Sequence, residues 1–485
     1  MKKITALLLV VLMLAQLASC GNGESSKENN VETSDNTVTA DTETESESET
    51  ERKPDLPDKD YGGQTLHMVT ETGFEKYIYA SEQTGEPVND ALYTARTNVE
   101  EQFNVSLLND IVVPEGARDI TESTVKSGED TFFVAQNHDR TTASLALNGW
   151  LYNVYELPYI DTTAEWWPQF TLDSLTINGR MYYISNYTGW NGLAFTRVVF
   201  ANMGHVTDFG LENPFEMVYN KTWTLDNFAA MTKDIYVDVD GNGARDRTDT
   251  YGFFYEKTPY CWLEGFGVEL YQKDGENSAQ IHLAATEPRV VELVEKLHDW
   301  CYSGAPGVNV NLDEDWKGTD RRALYAQGNS VFLMDSVGGT VDALTDSDIE
   351  YAILPFPLLD DTQKDYIGAC TDRLLFVPIT VQDLEQTGIL IEALNYEGYR
   401  HVLPTYQENT LKKRYATSED TSKMLDIIFA NRVISLSYLY GDVSLNFLGK
   451  VVPNNTIASY IESVSKKEQT TIDQIIALHS SDETK

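Results

Sequence analysis

The residues from 238 to 249 carry oxygen donors at a spacing that could bind a metal ion. This segment reads DVDGNGARDRTD and has the length of a twelve-residue calcium loop. Donors occupy loop positions 1, 3, 5, 7, 9 and 12, and in that order they are Asp238, Asp240, Asn242, the backbone carbonyl of Ala244, Asp246 and Asp249. Gly243 stands at position 6, where the loop turns sharply. We therefore predict calcium as a bound cofactor.

The last position of this loop is Asp249 instead of the usual glutamate. Its carboxylate reaches less far, so it would bind through one oxygen or through a water molecule. The alternative interpretation is a solvated turn of Asp and Gly that binds nothing. Residues 250–255 (TYGFFY) predict a strand and not the second helix of an EF-hand. A single loop of this kind indicates a structural calcium site and not a sensor.

Strands and helices alternate along the chain on either side of the loop. Apolar segments at 66–70, 105–108 and 131–135 predict buried strands, and apolar residues recur at helical spacing between Val88 and Phe103. This alternation favours an α/β fold with helices on both faces of a sheet. Further helices are predicted in the C-terminal third, near residues 382–398, 419–434 and 467–479.

The first twenty residues have the pattern of a targeting segment. Lys2 and Lys3 precede an apolar run at 7–15 that is too short to span a bilayer stably. The run leads to Leu-Ala-Ser-Cys20, which resembles the bacterial lipobox, where the cysteine receives a diacylglyceryl group with acyl chains such as palmitate. We predict a lipoprotein signal peptide at 1–20 with Cys20 as the lipidated residue. The alternative is an ordinary secretory signal.

Composition limits the partners that the chain can have. Residues 21–60 are rich in acids, Ser and Thr, and they predict a disordered acidic tether. The whole chain carries a net charge of −40, which disfavours nucleic acid as a partner. No other long apolar run follows the signal, so we expect contact with the membrane through the lipid anchor only.

Three cysteines follow the lipobox, namely Cys261, Cys301 and Cys370. An odd number argues against a disulfide framework, although a single bridge is possible. Cys301 continues the apolar helical face of Val290, Leu293 and Leu297, which predicts a core position.

Several segments together resemble the extracellular solute-binding lipoproteins of ABC importers, family 1, the carbohydrate-type group. Lys221-Thr222-Trp223-Thr224, the oxygen-rich loop and Asp249-Thr250-Tyr251-Gly252 carry this resemblance. Other matching segments follow in the family's order: 151–167, 175–184, Phe200-Ala201-Asn202, Tyr325–Gly328, Val331–Met334, Ile349–Pro355 and Pro378. Together they cover nearly all of residues 61–450. The sequence departs from the family at Ala352, where Gly is usual, and at Glu165, which precedes Trp166 where Pro is expected.

The resemblance implies a two-lobed periplasmic-binding-protein-like fold of the α/β class, with discontinuous lobes joined by crossover strands. Lobe one would comprise 61–195 plus 329–395, and lobe two 196–328 plus 396–485 with the calcium loop. The implied function is capture of a small solute, expected to be a carbohydrate, and its delivery to an ABC transporter permease. The protein would be a monomer, lipid-anchored on the extracellular face of the cell membrane.

Candidate ligand contacts are aromatic and polar residues in loops or at strand ends. Aromatic faces suit sugars, whose C–H faces pack on rings. The candidates are Trp190, Asn191, Tyr260, Trp262, Asp139, Asp335 and Arg373. The alternative is core packing for the tryptophans and salt bridges or solvated surface for the charged residues. Trp166 and Trp167 are expected to be structural.

An enzyme is not the expected function. The histidines show no metal-binding spacing such as H-E-x-x-H, and neither a G-x-S-x-G motif nor a phosphate-binding glycine loop is found. A glycan hydrolase needs only two carboxylates, so it stays an alternative, as does a cell-surface glycan-binding adhesin or sensor. The solute could be a monosaccharide, an oligosaccharide, a glycosylated compound or a peptide.

Overall fold

The computed structural model describes residues 52–480, apart from 114–116, 256–259, 276, 303–306, 310–315, 317, 416 and 417. The predicted signal peptide, Cys20 and most of the predicted tether therefore lie outside the described residues. Within the described part, no helix is both long and apolar enough to cross a membrane.

The chain alternates strands with helices, as the sequence predicts. The strands are β1 (Gln64–Glu71), β2 (Val105–Val113), β3 (Val134–His138), β4 (Arg197–Asn202), β5 (Tyr236–Val237), β6 (Thr250–Tyr255), β7 (Tyr271–Lys273), β8 (Ile281–Leu283), β9 (Gly307–Asn309), β10 (Ser330–Ser336), β11 (Tyr351–Leu354), β12 (Gly368–Ala369), β13 (Arg373–Phe376) and β14 (Arg432–Val433).

The helices cover these strands and fill the C-terminal region. They are α1 (Pro87–Phe103), α2 (Arg118–Ser127), α3 (Asp139–Leu147), α4 (Gln169–Leu175), α5 (Asn191–Ala194), α6 (Met203–Asp208), α7 (Pro214–Tyr219), α8 (Leu225–Thr232), α9 (Tyr260–Gly265), α10 (Pro288–Cys301), α11 (Arg321–Ala326), α12 (Val337–Leu344), α13 (Leu384–Pro404), α14 (Glu419–Ala430), α15 (Leu436–Tyr440), α16 (Val443–Asn446) and α17 (Ile457–Ser480). Short 3₁₀ helices occur at Glu75–Tyr77, Val154–Glu156 and Val452–Asn454, and π-helices at Thr405–Tyr415 and Phe447–Val451.

The sheet of lobe one has the strand order β13-β3-β1-β2. Strand β1 pairs in parallel with β2 and β3, whereas β13 is antiparallel to β3. Helix α1 begins with Pro87, where a missing N–H costs nothing, and Glu86 caps it by accepting from the Asn89 N–H at 2.8 Å. The helix buries the predicted apolar face and packs on α13, with Val88, Leu92, Ala95, Val99 and Phe103 all buried.

The sheet of lobe two has the order β11-β4-β10-β6-β5, and β9 also pairs with β6. Every residue of β4, β6 and β10 is buried, as expected of strands that are covered on both faces. The prediction that residues 329–395 belong to lobe one is wrong for part of this range. Strands β10 and β11 from that range pair with β4 of lobe two, and only β13 joins the lobe-one sheet.

In the described part of the chain, three segments lead from the sheet of one lobe towards the other. The first crossover segment, residues 185–196, follows Ile184, which bridges to Leu375 of lobe one. The second crossover segment, residues 370–372, returns to lobe one beside the first, and Thr196 bridges to Cys370. The third passage is the π-helix Thr405–Tyr415 that continues α13. The predicted boundary between 395 and 396 therefore falls inside a continuous helix, α13, and is also corrected.

Candidate functional site

Polar residues from both lobes meet where β3 ends beside the two crossover segments. Asp139, at the start of α3, is fully buried. Its Oδ2 accepts from the Asp372 N–H at 3.1 Å, and its Oδ1 lies 3.0 Å from His138 Nδ1. Burial alone would raise the pKa of Asp139, but His138 and Arg373 outweigh it and hold that pKa below its usual value. Asp139 thus lies after β3 beside the second crossover segment, and its contact with a ligand stays a prediction.

Asp372 is the centre of this junction, although no pattern in the sequence indicates such a role. Its carboxylate accepts hydrogen bonds from Ser185 Oγ and Asn191 Nδ2 of the first crossover segment. It also accepts from the Arg373 N–H at 2.7 Å. Burial raises the pKa of Asp372 to about 6, and the hydrogen bond from Ser185 works in the opposite direction. The amide of Asn191 is thus committed on its nitrogen side to this carboxylate.

Two of the other predicted residues lie beside an aromatic group at the same junction. Arg373 Nε is 2.9 Å from Glu71 Oε2, and its guanidinium lies 3.5 Å from the centre of the Phe74 ring. Trp190 is only partly buried and packs between Tyr77 and Tyr406, with ring centres at 4.5 and 4.6 Å. The Trp190 indole N–H has no hydrogen-bond acceptor among the described residues. The indole N–H is itself buried, whereas part of the Trp190 ring is exposed.

Asp335 has a different environment. It is fully buried at the end of β10, where Arg321 and Arg322 each approach its carboxylate to 2.8 Å. Burial would raise the pKa of Asp335, but the two guanidinium groups lower it below the usual value. Both oxygens are engaged by α11, so this arrangement favours the alternative of a salt bridge within lobe two over contact with a solute.

Trp262 lies in the core of lobe two, which corrects the prediction that its ring is available for stacking. Only 3% of its surface is exposed. Its ring packs among Trp300, Tyr255 and Phe356, with centres at 5.5, 5.3 and 6.5 Å. Aromatic neighbours on adjacent elements cover a tryptophan wherever an amphipathic helix brings it inward. The side chain of Tyr260, two residues earlier, lies outside the described part of the structure.

Arg140 is a residue of the junction that the sequence analysis missed. It follows Asp139 in the first turn of α3, and its guanidinium donates to the carbonyls of Tyr438 and Gly441 at 2.6 and 2.8 Å. It also pairs with Asp442 at 3.0 Å. The signal was available, since a charged pair directly after a buried parallel strand lies at the edge where ligand loops gather. The side chain can donate to carbonyl or hydroxyl oxygens at this edge.

The predicted calcium loop has convergent carboxylates. Oxygens of Asp238, Asp240 and Asp249 lie within 4.8 Å of one another. Asp238 is oriented by the N–H groups of Gly241 and Gly243, at 2.8 and 2.9 Å. The remaining predicted donors are close by. Asn242 Nδ2 donates to Asp246 Oδ2 at 2.9 Å, and the Tyr236 hydroxyl lies 3.1 Å from the carbonyl oxygen of Ala244 and 2.9 Å from Asp249 Oδ2. This donor set fits a hard cation of the size of Ca²⁺.

Comparison with solved structures defines the class of fold. The chain is similar to an ABC substrate-binding protein from Listeria monocytogenes in complex with cycloalternan, with a TM-score of 0.54, 12% identity, and coverage of 84% of this chain and 99% of the other. A maltose-binding periplasmic protein from the same organism, in complex with maltose, gives a TM-score of 0.52 and 13% identity over 87% and 99%. The third is an ABC transporter solute-binding protein from Thermotoga lettingae bound with α-D-tagatose, at 0.52 and 14% over 86% and 100%.

These similarities establish that the chain has the two-lobed periplasmic-binding-protein-like fold, as the sequence predicts. No family model matches the sequence, and no curated protein sequence matches it. At 12–14% identity the solved structures bear on the fold alone.

Proposed function

We propose that this chain is a solute-binding protein that captures a small carbohydrate between its lobes and delivers it to an ABC transporter permease. The observation that carries the proposal is the junction around Asp139, Arg140 and Trp190. It combines an aromatic face with charged donors and acceptors from β3, α3 and the crossover segments, which is the composition of a sugar site. The complexes of the structural neighbours with cycloalternan, maltose and tagatose support the same class of solute.

The proposed contacts are fewer than those predicted from the sequence. Trp190 supplies its partly exposed ring, and the buried Trp190 indole N–H and Asn191 Oδ1 beside it have no hydrogen-bond partner among the described residues. Arg140 and Arg373 supply charged groups at the strand ends, whereas Asp139 is fully buried with both oxygens engaged and so orients its neighbours. A ligand that touches groups of both lobes would favour the closed arrangement because it binds that state better.

The proposal is tested with a thermal-shift screen of the protein against a panel of sugars, followed by calorimetry on those that raise the melting temperature. For a sugar that binds, Arg140→Gln should weaken affinity at least about tenfold, because charged hydrogen bonds contribute about 1.5–3 kcal/mol. The matched control is Arg118→Gln, which changes an exposed arginine in α2 of the same lobe and should leave affinity unchanged. Failure of every sugar to bind a folded protein would count against a carbohydrate, and release of sugar products over time would indicate a hydrolase.

We further propose that the mature protein begins at a lipidated Cys20 and is held at the extracellular face of the cell membrane. The Leu-Ala-Ser-Cys sequence after an apolar run supports this, and two or more acyl chains give stable anchoring. Cys20→Ser should release the protein from the membrane fraction or leave it unprocessed. Full membrane partition of that variant with unchanged processing would contradict the proposal.

We also propose that the loop 238–249 holds one structural calcium ion. The convergent carboxylates of Asp238, Asp240 and Asp249 support it, since three like charges so close together repel one another without a cation. Bound calcium would stabilise the folded state by mass action. A chelator should therefore lower the melting temperature of the wild type and leave that of Asp240→Ala unchanged. Absence of heat on titration with millimolar calcium would contradict this site.

A further inference from the structure

The contacts of Asp372 join three segments that belong to different parts of the fold. The residue lies in the second crossover segment, and its carboxylate is held by Ser185 and Asn191 of the first. Gly192 allows this close approach, because a Cβ at that position would lie 3.0 Å from Asp372 Oδ2. The backbone N–H of Asp372 donates to Asp139 of lobe one. The carboxylate of Asp372 therefore fastens the two crossover segments to each other, and its backbone N–H joins them to α3.

Arg432 extends this cluster to β14. Strand β14 pairs in parallel with β12, immediately before the second crossover segment. The guanidinium of Arg432 attracts the carboxylate of Asp372 and lies 3.9 Å from the centre of the Phe170 ring in α4. Arg432 is almost fully buried, at 5% exposure. Its positive charge favours the ionised form of Asp372 and partly offsets the effect of burial.

We propose that Asp372 is a positioning residue that holds the two crossover segments together and so sets the angle between the lobes. Through this angle it controls affinity for the solute without touching it. The part that concerns affinity rests on the proposed function, whereas the part that concerns the lobe angle does not.

The hinge cluster, defined as Ser185, Asn191, Asp372 and Arg432, responds to pH. Burial raises the pKa of Asp372 to about 6, so its carboxylate takes up a proton between neutral and mildly acidic pH. The protonated group no longer attracts Arg432, and its hydrogen bonds lose the strength that charge gives them. The ionisable groups around it are Asp139 and His138 from lobe one, Tyr187 from the first crossover segment, Cys370 and Arg373 from its own strand region, and Arg432 from β14. Acid should therefore loosen the hinge.

The lobe angle is measured in the absence of any sugar. Spin labels on cysteines introduced at Glu101 of lobe one and Glu212 of lobe two, both exposed, report the distance between the lobes in the full chain carrying Cys20→Ser. The wild-type distance distribution should be narrow at pH 7.5 and broaden with a midpoint near 6. Asp372→Asn should give the broad distribution at both pH 7.5 and pH 5. A narrow distribution in this variant at pH 7.5, or an unchanged pH response, would overturn the proposal.

Two further variants keep the test decisive if Asp372→Asn folds poorly. Ser185→Ala removes a hydrogen bond that favours the ionised carboxylate, so the midpoint of broadening should move to higher pH. His138→Gln removes the nearby histidine and should leave the response in place. Loss of the response in His138→Gln, or an unmoved midpoint in Ser185→Ala, would assign the effect to another group and overturn the proposal. If the hinge responds as expected while no sugar binds, the proposed function fails and the hinge role stands.

Discussion

At the scale of single residues, the two adjacent tryptophans after position 165 share one buried acceptor. The indole N–H groups of Trp166 and Trp167 donate to the two oxygens of Glu392, at 2.7 and 2.9 Å. All three residues are buried. Burial raises the pKa of Glu392, and the two indole donors oppose that shift. Both tryptophans therefore have a structural role, as expected, because they are anchored to an acceptor on α13, which is distant in sequence.

Replacing Glu392 by Ala should destabilise the protein by about 3 kcal/mol or more, since it leaves two buried N–H groups without acceptors at about 1–3 kcal/mol each. Glu392→Gln keeps one acceptor and should cost less. Urea denaturation measures both. The exposed Glu385, at the start of the same helix, provides the control, and Glu385→Gln should change stability by less than about 1 kcal/mol. Equal effects of Glu392→Ala and Glu385→Gln would contradict this account.

At the scale of elements, α13 and the first crossover segment approach each other through their backbones. A Cβ on Gly398 would lie 1.9 Å from the carbonyl oxygen of Tyr187. The neighbouring Asn395 accepts from the Tyr187 N–H at 2.7 Å. Glycine ordinarily weakens a helix relative to alanine, so its presence here is explained by this contact. The helix thereby fixes the position of the chain where it leaves lobe one.

Gly398→Ala should consequently lower the free energy of unfolding by about 2–3 kcal/mol, against the usual helix preference, because the backbones must separate. Gly275→Ala is the matched control, since a Cβ there meets no atom within 4 Å and no left-handed φ is required. That control should be within about 0.5 kcal/mol of the wild type. Chemical denaturation of both variants is the measurement, and a stabilised Gly398→Ala would show that the contact is absent.

The sequence predicted where several helices and strands lie, but it did not predict which elements pack against one another. The periodic face of α1 and the strand after the calcium loop are confirmed, because both depend on local spacing. The third strand was predicted at 131–135 but lies at Val134–His138, because the apolar run starts before the residues that pair. The lobe boundaries were wrong where β10 pairs with a strand more than a hundred residues away, which no local pattern records. Trp262 was misplaced for the same reason, because its neighbours Trp300 and Phe356 come from other elements.

At the scale of the whole molecule, two kinds of buried carboxylate change the free energy of unfolding in opposite directions as the pH falls. The pKa values of Asp139 and Asp335 are held low by histidine and arginine neighbours, so their stabilisation is present above pH 4 and is lost as the pH falls through their folded-state values. The pKa of Asp372 is raised to about 6, so the folded state takes up its proton first and gains stability as the pH falls from above 6 towards 4. Acidification also reduces repulsion within a chain of net charge −40.

The melting temperature, measured in chelator so that calcium does not contribute, should therefore rise from pH 8 to about pH 5 and fall steeply below pH 4. Asp372→Asn should flatten the upper part of this profile and keep the acid fall. A profile that falls steadily from pH 8 would show that the groups with low pKa dominate throughout.

The pairing of β3 with β13 gives the order in which the chain can fold. His138 of β3 lies opposite Arg373 of β13, so this inner strand of lobe one pairs with residues 235 positions later in the chain (373 − 138). Contacts of such long range slow folding, because the entropy of closing the loop is lost before the strand pairing stabilises the chain. A chain is synthesised from its N-terminus, so the sheet of lobe one stays incomplete until about three quarters of the residues have been added. Late closure of this kind is compatible with the export that we propose, in which the polypeptide crosses a membrane before it folds.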